Sequence, residues 1–353
     1  MSRARIGFDR YTIEHRGYSP EETLRFARER GFDGVQFLDA STIDESLDPG
    51  ALSRFRRMAD DLGLYIEVGL PTPNPGRWAR DWGREPSVEE VVAVLTPRIE
   101  ALAVLGCRHA RIYVGDRHDR FRGDLTWEEQ LTGSLEVIQA LTPRLIAQGI
   151  RLAIETHADL TADELLGLVA RMDPAVAGIT LDTGNLTMRL DDPLSAARRL
   201  APWVVATHIK DMVLAFTPRG LCWQARPVGS GILPIPDILA AVLRARPDLT
   251  LSIELHPRTY DLPIYDPRWL SFFPGLRPDA LASVVRLAAD CERRYAEGSL
   301  DRPETVEASP WPRRDLDGLA QSLGYLRSVV PHLLDSARPL VATSATVPPT
   351  PEE

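Results

Sequence analysis

Four short apolar runs, spread over residues 151–254, each end in a side chain that could bind a metal ion. These side chains are Glu155, Asp182, His208 and Glu254. Three carboxylates and one imidazole form a hard, oxygen-rich set that suits Mn²⁺, Mg²⁺ or Co²⁺ better than a structural zinc ion. Without a cation, three clustered carboxylates would repel one another and would be costly to bury. The set therefore predicts a site for one divalent metal ion, with Mn²⁺ favoured.

The elements that would position these residues alternate between short strands and longer helices. Eight runs are short and almost continuously apolar, as strands buried on both faces are. They lie at residues 5–8, 34–37, 65–68, 110–114, 151–155, 178–181, 204–208 and 251–254. Helical patterns between them often end in glycine and lead directly into the next run, which is typical of parallel strands with helical crossovers. The pattern predicts an α/β fold, a (β/α)8 TIM barrel, in which the four candidate ligands meet at the C-terminal rim.

The predicted barrel occupies residues 1–300. Two long loops that carry aromatic residues follow the third and eighth strands, at residues 71–86 and 257–274. Residues 301–353 are predicted to form a C-terminal extension. Within it, 315–334 has a helical pattern, whereas 337–353 is rich in proline, threonine and serine, which is typical of a disordered tail.

The composition narrows the classes of function. The net charge is −9, whereas proteins that bind the nucleic-acid backbone usually carry a basic face. The three cysteines, Cys107, Cys222 and Cys291, are far apart and form no CxxC pair, which suits a reducing compartment. No apolar signal core begins the sequence, and no run reaches the roughly 18 apolar residues of a membrane span. We therefore expect a cytoplasmic protein that binds neither nucleic acid nor membrane.

Over about residues 5–298 the sequence resembles the xylose-isomerase-like barrels, the sugar phosphate isomerase/epimerase superfamily. The motifs that carry the resemblance are IETH (154–157), LDTGN (181–185), THIKD (207–211), VGSG (228–231) and SIELH (252–256). The resemblance implies a metal-dependent enzyme that removes a proton next to the carbonyl of a sugar or keto-sugar. It also implies that one metal ion is held by the strand-end residues Glu155, Asp182, His208 and Glu254.

Three positions depart from the pattern of the ketose 3-epimerases in this superfamily. Asn185 stands where they usually carry a histidine, and Gln36 stands where the family often has an acid. His157, two residues beyond Glu155, is not typical of them and resembles the catalytic subunits of C-glycoside deglycosidases and related lyases that act on 3-keto sugars. This difference favours β-elimination over isomerisation or epimerisation.

His157 is the sharpest candidate for the catalytic base. Residues i and i+2 of a strand face the same side, so His157 and Glu155 are expected at one rim, although His157 could instead cap the loop. Glu155 and Glu254 are the alternative bases. Candidate substrate-binding residues are Gln36, Asn185, Lys210, His256 and Arg258. For His256 and Arg258, packing under the aromatic loop is an equal alternative, and Lys210 could form a supporting pair with Asp211.

Two other functions compete with an enzyme acting on a sugar or glycoside. A phosphodiesterase like the apurinic endonucleases, which share this barrel, needs a multi-zinc cluster, whereas this chain has seven histidines and only three at predicted strand ends. A non-catalytic barrel subunit would not need an intact set of metal ligands. We expect the protein to form a homo-oligomer or a complex with a small second subunit.

Overall fold

The computed structural model describes residues 4–336, which form eleven strands and twelve α-helices. The strands are β1 (Ile6–Asp9), β2 (Gly34–Phe37), β3 (Tyr65–Val68), β4 (His109–Ile112), β5 (Arg151–Glu155), β6 (Ala177–Asp182), β7 (Val204–His208), β8 (Asp211–Thr217), β9 (Gly220–Arg226), β10 (Leu251–Ile253) and β11 (Thr259–Leu262). The helices are α1 (Pro20–Glu29), α2 (Pro49–Asp61), α3 (Pro75–Trp82), α4 (Val88–Val104), α5 (Trp127–Gln148), α6 (Ala162–Val169), α7 (Pro193–Leu200), α8 (Ile235–Ala245), α9 (Pro267–Leu270), α10 (Pro278–Ala296), α11 (Pro303–Glu307) and α12 (Trp311–Ser336).

Eight strands, β1–β7 and β10, run parallel and form the barrel. They pair in two sheets, with strand orders β10-β1-β2-β3 and β4-β5-β6-β7. Hydrogen bonds across both seams join the sheets: the Leu70 amide donates to the Arg111 carbonyl at 2.9 Å, and the Ile209 amide donates to the Ser252 carbonyl at 2.7 Å. All eight strands overlap the runs identified in the sequence, so the predicted (β/α)8 barrel is confirmed.

Local signals start several of the helices that connect the strands. Capping boxes, in which a hydroxyl and a glutamate three residues later bond to each other's backbone amides, begin α1, α4, α5 and α6. At the end of α5, Gly149 adopts a left-handed conformation with φ 63°, which lets the chain turn directly into β5. Within residues 4–336, no helix is long and apolar enough to span a membrane.

A separate antiparallel sheet, with strand order β11-β9-β8, stands beside the barrel. It contains a hairpin inserted directly after the barrel strand β7 and a short strand in the loop after β10. The predicted strands do not include these three elements. The sheet matters for the site because it pairs Tyr260 of β11 with Trp223 of β9 at the barrel's C-terminal side.

Helix α12 contains the predicted helix at 315–334 and packs directly on the barrel. Its residues Leu319, Leu323 and Leu326 are buried in the same hydrophobic core as the barrel strands. Near the start of α12, the Asp315 carboxylate forms an ion pair with Arg16, which lies in the turn after β1; Arg16 Nε is 2.6 Å from Asp315 Oδ2. The division of the chain at residue 300 stays a prediction, and the tail predicted to be disordered, 337–353, lies outside the described residues.

Candidate metal centre

The four predicted metal ligands converge at the C-terminal ends of four barrel strands. All are buried, and one ligand atom from each lies within 4.8 Å of the others: Glu155, Asp182, His208 and Glu254. The first three are the last residues of β5, β6 and β7, and the fourth directly follows β10. Parallel pairing sets Asp182 opposite His208 in register. In the part of the chain that the structure describes, this is the one such cluster.

The two nitrogens of His208 face different groups. Nδ1 lies 3.0 Å from Glu155 Oε1 and 2.8 Å from Glu254 Oε2, whereas Nε2 lies 2.9 Å from Gln36 Oε1 and 3.2 Å from Asp9 Oδ2. Burial would lower the pKa of His208, but the Glu254 and Glu155 carboxylates raise it well above its usual value. A metal-binding histidine commonly donates its other ring N–H to such an acceptor, which fixes the ring. The ring is thus oriented with Nδ1 towards Glu155 and Glu254 and Nε2 towards Gln36 and Asp9.

Two of these contacts concern residues outside the predicted metal set. Gln36, predicted to bind substrate, lies behind His208 and is not among the residues that line the cavity above the cluster. Asp9, at the end of β1, is buried and was not singled out from the sequence. Its carboxylate also accepts from the Tyr11 amide at 2.7 Å, so it is held in place from both sides.

The four ligand side chains suit a divalent cation, because one of their oxygen atoms, Glu254 Oε2, lacks a hydrogen-bond partner. Glu254 Oε2 is buried and accepts no hydrogen bond of good geometry, although His208 Nδ1 and Lys210 Nζ lie 2.8 Å and 3.0 Å away. Burial raises the pKa of Asp182 to about 6, with Lys210 opposing the shift and the neighbouring carboxylates adding to it. Buried carboxylates that disfavour one another's charge are stabilised by a cation placed between them.

Lys210 and Asn185 contact the same cluster from the cavity side. Lys210 Nζ lies 2.8 Å from Asp182 Oδ2, and the Asn185 side-chain amide donates to that oxygen at 2.8 Å. Burial would lower the pKa of Lys210, but the Asp182 and Glu254 carboxylates raise it. Both residues line the cavity, so each is placed to contact a ligand as well as Asp182.

Arg111 in β4 is a further member of the cluster that the sequence did not single out. Its Nε and Nη2 lie 2.6 Å and 2.5 Å from the same carboxylate oxygen, Glu155 Oε2. Because the other carboxylate oxygen, Oε1, faces His208, Glu155 can hold Arg111 and still present one oxygen to an ion. Among residues 4–336, Arg111 has no other carboxylate within 4.0 Å.

We expect Glu155→Gln to destabilise the fold, because it leaves the buried Arg111 guanidinium without its carboxylate. Breaking a buried ion pair from one side costs about 3–5 kcal/mol of unfolding free energy. Urea unfolding in the presence of EDTA measures this loss without any contribution from metal. Glu254→Gln is the matched control, since its cationic neighbour Lys210 keeps a second carboxylate partner, Asp182, at 2.8 Å. Equal unfolding free energies for the two variants would contradict the expectation.

His157 lies beside the cluster and is not one of its four ligands. Its Nδ1 is 3.0 Å from the Gly115 carbonyl oxygen, and its half-buried ring lies 5.1 Å from the Tyr113 ring. A carbonyl can only accept, so Nδ1 carries the hydrogen and the neutral ring has its lone pair on Nε2. His157 thus holds the neighbouring loop and also lines the cavity.

Asp159 supports this arrangement and was also not singled out from the sequence. Its buried carboxylate accepts from the Gly115 amide at 2.6 Å and from the Leu160 amide at 2.7 Å. Burial raises the pKa of Asp159 to about 6, with His157 opposing the shift. Gly115 is therefore fixed by Asp159 through its N–H while its carbonyl orients His157.

His256 and Arg258 follow Glu254 on the way to β11. The His256 ring stacks on Trp223, with centroids 5.5 Å apart, and meets the edge of Tyr260 at 5.5 Å. Burial and, to a smaller extent, the charge of Lys210 lower the pKa of His256 to about 4, so its ring is neutral near pH 7. Arg258 is exposed and has a positive φ of 89°. His256 therefore packs against two aromatic rings and also lines the cavity.

A cavity of about 420 Å³ opens above the cluster. Of the predicted site residues, those that line it are Glu254, Asn185, Lys210, His157, His256 and Arg258. It shares wall residues, including Tyr260, with an outer cavity of about 490 Å³ that reaches Trp269 in the loop 257–274. Trp78 and Trp82 of the loop 71–86 pack on each other, with ring centroids 5.5 Å apart, and line neither cavity.

The family of this protein follows from the sequence as a whole. Residues 24–270 match the model of the xylose isomerase-like TIM barrel family, and the chain belongs to that family. The family agrees with the barrel and with the resemblance that the strand-end motifs carry.

Two curated bacterial proteins are similar to this chain. The uncharacterized protein YihM of Escherichia coli K12 is 26% identical over 227 residues, which cover 64% of this chain and 62% of YihM. The 3-oxo-isoapionate decarboxylase of Pectobacterium atrosepticum is 25% identical over 212 residues, which cover 60% of this chain and 68% of that enzyme. The match to YihM spans less than two thirds of that protein.

Solved structures share the fold at low sequence identity. A D-psicose 3-epimerase of Clostridium cellulolyticum H10, solved with D-tagatose, matches 82% of this chain and 98% of its own at 16% identity and a TM-score of 0.57. The 3-keto-D-glucoside 4-epimerase YcjR of E. coli matches 80% of this chain and all of its own at 16% identity and a TM-score of 0.54. The IOLI protein, solved with a bound zinc atom, matches 82% and 99% of the two chains at 15% identity and a TM-score of 0.53.

Proposed function

We propose that this protein is a divalent-metal-dependent enzyme that removes a proton next to the carbonyl group of a sugar or keto-sugar. The observation that carries the proposal is the convergence of four buried metal-ligand side chains beneath a cavity that His157 also lines. Glu155, Asp182, His208 and Glu254 would hold the ion, and Mn²⁺ suits this set best, with Mg²⁺ or Co²⁺ as alternatives. When bound, such an ion polarises a carbonyl or hydroxyl oxygen as a Lewis acid.

The protein's own residues would bind the substrate and move the proton. His157 is placed to accept it at Nε2, since its Nδ1–H is engaged with the Gly115 carbonyl. Lys210 and Asn185 would donate hydrogen bonds to substrate oxygens from the cavity wall. His256 Nδ1 lies 3.2 Å from the Pro257 carbonyl oxygen, so the neutral ring would accept a hydrogen bond from a substrate hydroxyl at Nε2. Glu155 and Glu254 are the alternative bases, although each already faces His208.

The fate of the substrate after proton removal depends on what leaves. If the proton returns to carbon, the outcome is isomerisation or epimerisation. If a bond to a leaving group on the adjacent carbon breaks, the outcome is β-elimination, as in C-glycoside deglycosylation. The names of the similar proteins 3-oxo-isoapionate decarboxylase and 3-keto-D-glucoside 4-epimerase both describe substrates with a keto group, which supports a keto-sugar for this chain. His157 favours elimination.

A phosphodiesterase of the apurinic-endonuclease type is less well supported. Such an enzyme needs a cluster of several zinc ions, whereas the one ligand cluster within residues 4–336 contains a single histidine. The four ligands also lie together under one cavity, as expected for an enzyme and not for a scaffold subunit. Assembly with a second copy or with a small second subunit stays a prediction, which light scattering of the purified protein would test.

The proposal is tested by proton exchange with solvent. Purified protein is stripped with EDTA, reloaded or not with Mn²⁺, and incubated in D₂O with free ketoses or with 3-keto glycosides. We expect loss of the ¹H NMR signal next to the carbonyl only in the Mn²⁺-loaded sample, with product formation showing epimerisation or elimination. Absence of both exchange and product for every substrate, with metal bound, would contradict the proposal.

A further inference from the structure

Two arginines stand at the mouth of the cavity without carboxylate partners. Arg117, after β4, and Arg258, after β10, both line the cavity, and both are exposed. Among the described residues, neither guanidinium has a carboxylate oxygen within 4.0 Å, whereas Arg120 and Arg122, which follow Arg117 in the same loop, each pair with one. Their charge is thus available to a ligand in the cavity.

Side-chain contacts hold Arg117 at the mouth. The Arg117 guanidinium lies over the Tyr260 ring, 4.8 Å from its centroid, and its Nε is 2.9 Å from His118 Nε2. No described residue accepts a hydrogen bond from the Nη atoms of Arg117. The backbone of Arg258 has φ 89°, in a region that residues other than glycine rarely adopt.

The acidic residues at the mouth do not cancel this charge. Asp116 is 3.2 Å from Arg80, which neutralises it. Glu14, on the turn after β1, is exposed at the mouth. Its carboxylate forms no ion pair with any residue in 4–336. Arg10, also at the mouth, donates to the Tyr18 carbonyl at 2.9 Å. Three guanidinium groups therefore face one free carboxylate.

We infer that Arg117 and Arg258 bind an anionic group of the substrate at the end of the cavity away from the metal ligands. This inference rests on the proposed function, in which the carbonyl end of the substrate lies at the cluster containing Glu254. A carboxylate or a phosphate monoester matches the planar, two-donor edge of a guanidinium. The substrate is thus an acidic or phosphorylated keto-sugar and not a neutral one. A cavity of about 420 Å³ is within the range of small-molecule sites.

Three ketohexoses that differ only at C6 test this specificity. D-Fructose is neutral there, D-fructuronate carries a carboxylate, and D-fructose 6-phosphate carries a phosphate. Calorimetric titration of Mn²⁺-loaded protein should show at least about tenfold tighter binding of one acid than of D-fructose, because hydrogen bonds to charged groups are the stronger ones. Which acid is preferred identifies the anion. No advantage of either acid over D-fructose overturns the inference.

Charge variants locate the effect. We expect Arg258→Gln and Arg117→Gln to reduce the preference for the acid to less than about threefold. Glu14→Gln, which removes the opposing carboxylate, should strengthen binding of the acid. Arg244→Gln on the outer helix α8 is the control with the same charge change and should leave the preference intact. A preference that survives in both mouth variants overturns the inference.

Binding is measured separately from chemistry, so the two proposals can fail separately. If the acid binds tightly through these arginines but no substrate exchanges its proton in D₂O, the proposed reaction is wrong and the anion subsite stands. If exchange occurs equally with neutral and acidic ketoses, and affinity does not depend on Arg117 or Arg258, the reaction stands and the subsite is wrong.

Discussion

Glu254→Gln should abolish tight binding of the divalent ion while leaving the fold intact. Glu254 Oε2 is buried and accepts no well-oriented hydrogen bond even from the neighbouring His208 and Lys210, so a bound divalent ion would supply the partner that this oxygen lacks. Loss of a supporting contact alone weakens metal binding about 10- to 100-fold, and loss of a ligand should exceed that range. The substitution is nearly isosteric, and Lys210 keeps its 2.8 Å contact with Asp182. We therefore expect an unchanged melting temperature in EDTA.

The matched control for this variant is Glu67→Gln. Glu67 is also a buried barrel glutamate, but it bonds to Thr250 and Ser252 and lies 3.4 Å from His109, at the starts of β10 and β4. Metal content after dialysis against Mn²⁺ is measured by mass spectrometry for both variants and the wild type. Full metal content in Glu254→Gln, or an equal loss in Glu67→Gln, would show that the four-residue cluster does not hold the ion.

The barrel and its four convergent side chains could be predicted because both depend on local patterns. Each strand is a short apolar run, and the residue that ends a parallel strand lies at the same rim as the residues that end its neighbours. The order of the strands along the chain then brings Glu155, Asp182 and His208 side by side. None of these steps requires knowledge of a long-range contact.

Asp9 and Arg111 follow from the same patterns but were not singled out. Asp9 directly follows a buried apolar run, as the four ligands do, so the same rule would have included it. Arg111 is a charged residue inside a predicted strand, and a charge in a buried strand requires a partner. What the sequence could not provide is the identity of that partner, since Glu155 is 44 residues away in the chain.

The antiparallel sheet and the aromatic wall of the cavity were less accessible to prediction. The hairpin's signal is present, because β-branched and aromatic residues flank a turn at residues 217–220. The placement of Tyr260 against Trp223 and His256, however, depends on the pairing of β11 with β9, which are separated by more than thirty residues. The unpartnered arginines at the mouth likewise emerge only when all neighbouring carboxylates are placed.

His157→Ala should lower turnover by roughly 10²–10⁴-fold while the protein keeps its metal ion. The variant should keep its metal ion because His157 Nδ1 is engaged with the Gly115 carbonyl and the four-residue cluster is complete without His157. Removal of the ring deletes the lone pair on Nε2 that is placed to accept the proton. Turnover is measured with the keto-sugar that exchanges fastest in D₂O, and metal content is measured on the same sample.

Two further measurements distinguish a base from a merely structural histidine. Added imidazole should restore part of the activity of His157→Ala, since it can occupy the space left by the ring and accept the same proton. Asp159→Asn, which weakens the 2.6 Å bond to the Gly115 amide, should lower kcat with a smaller effect on KM, because it disturbs the orientation of His157 and not the substrate contacts. His109→Ala, at the opposite end of the barrel, is the histidine control and should leave turnover unchanged.

If His157→Ala loses its metal, His157 is a ligand. If it keeps full activity, Glu155 or Glu254 is the base, and epimerisation becomes the better proposal.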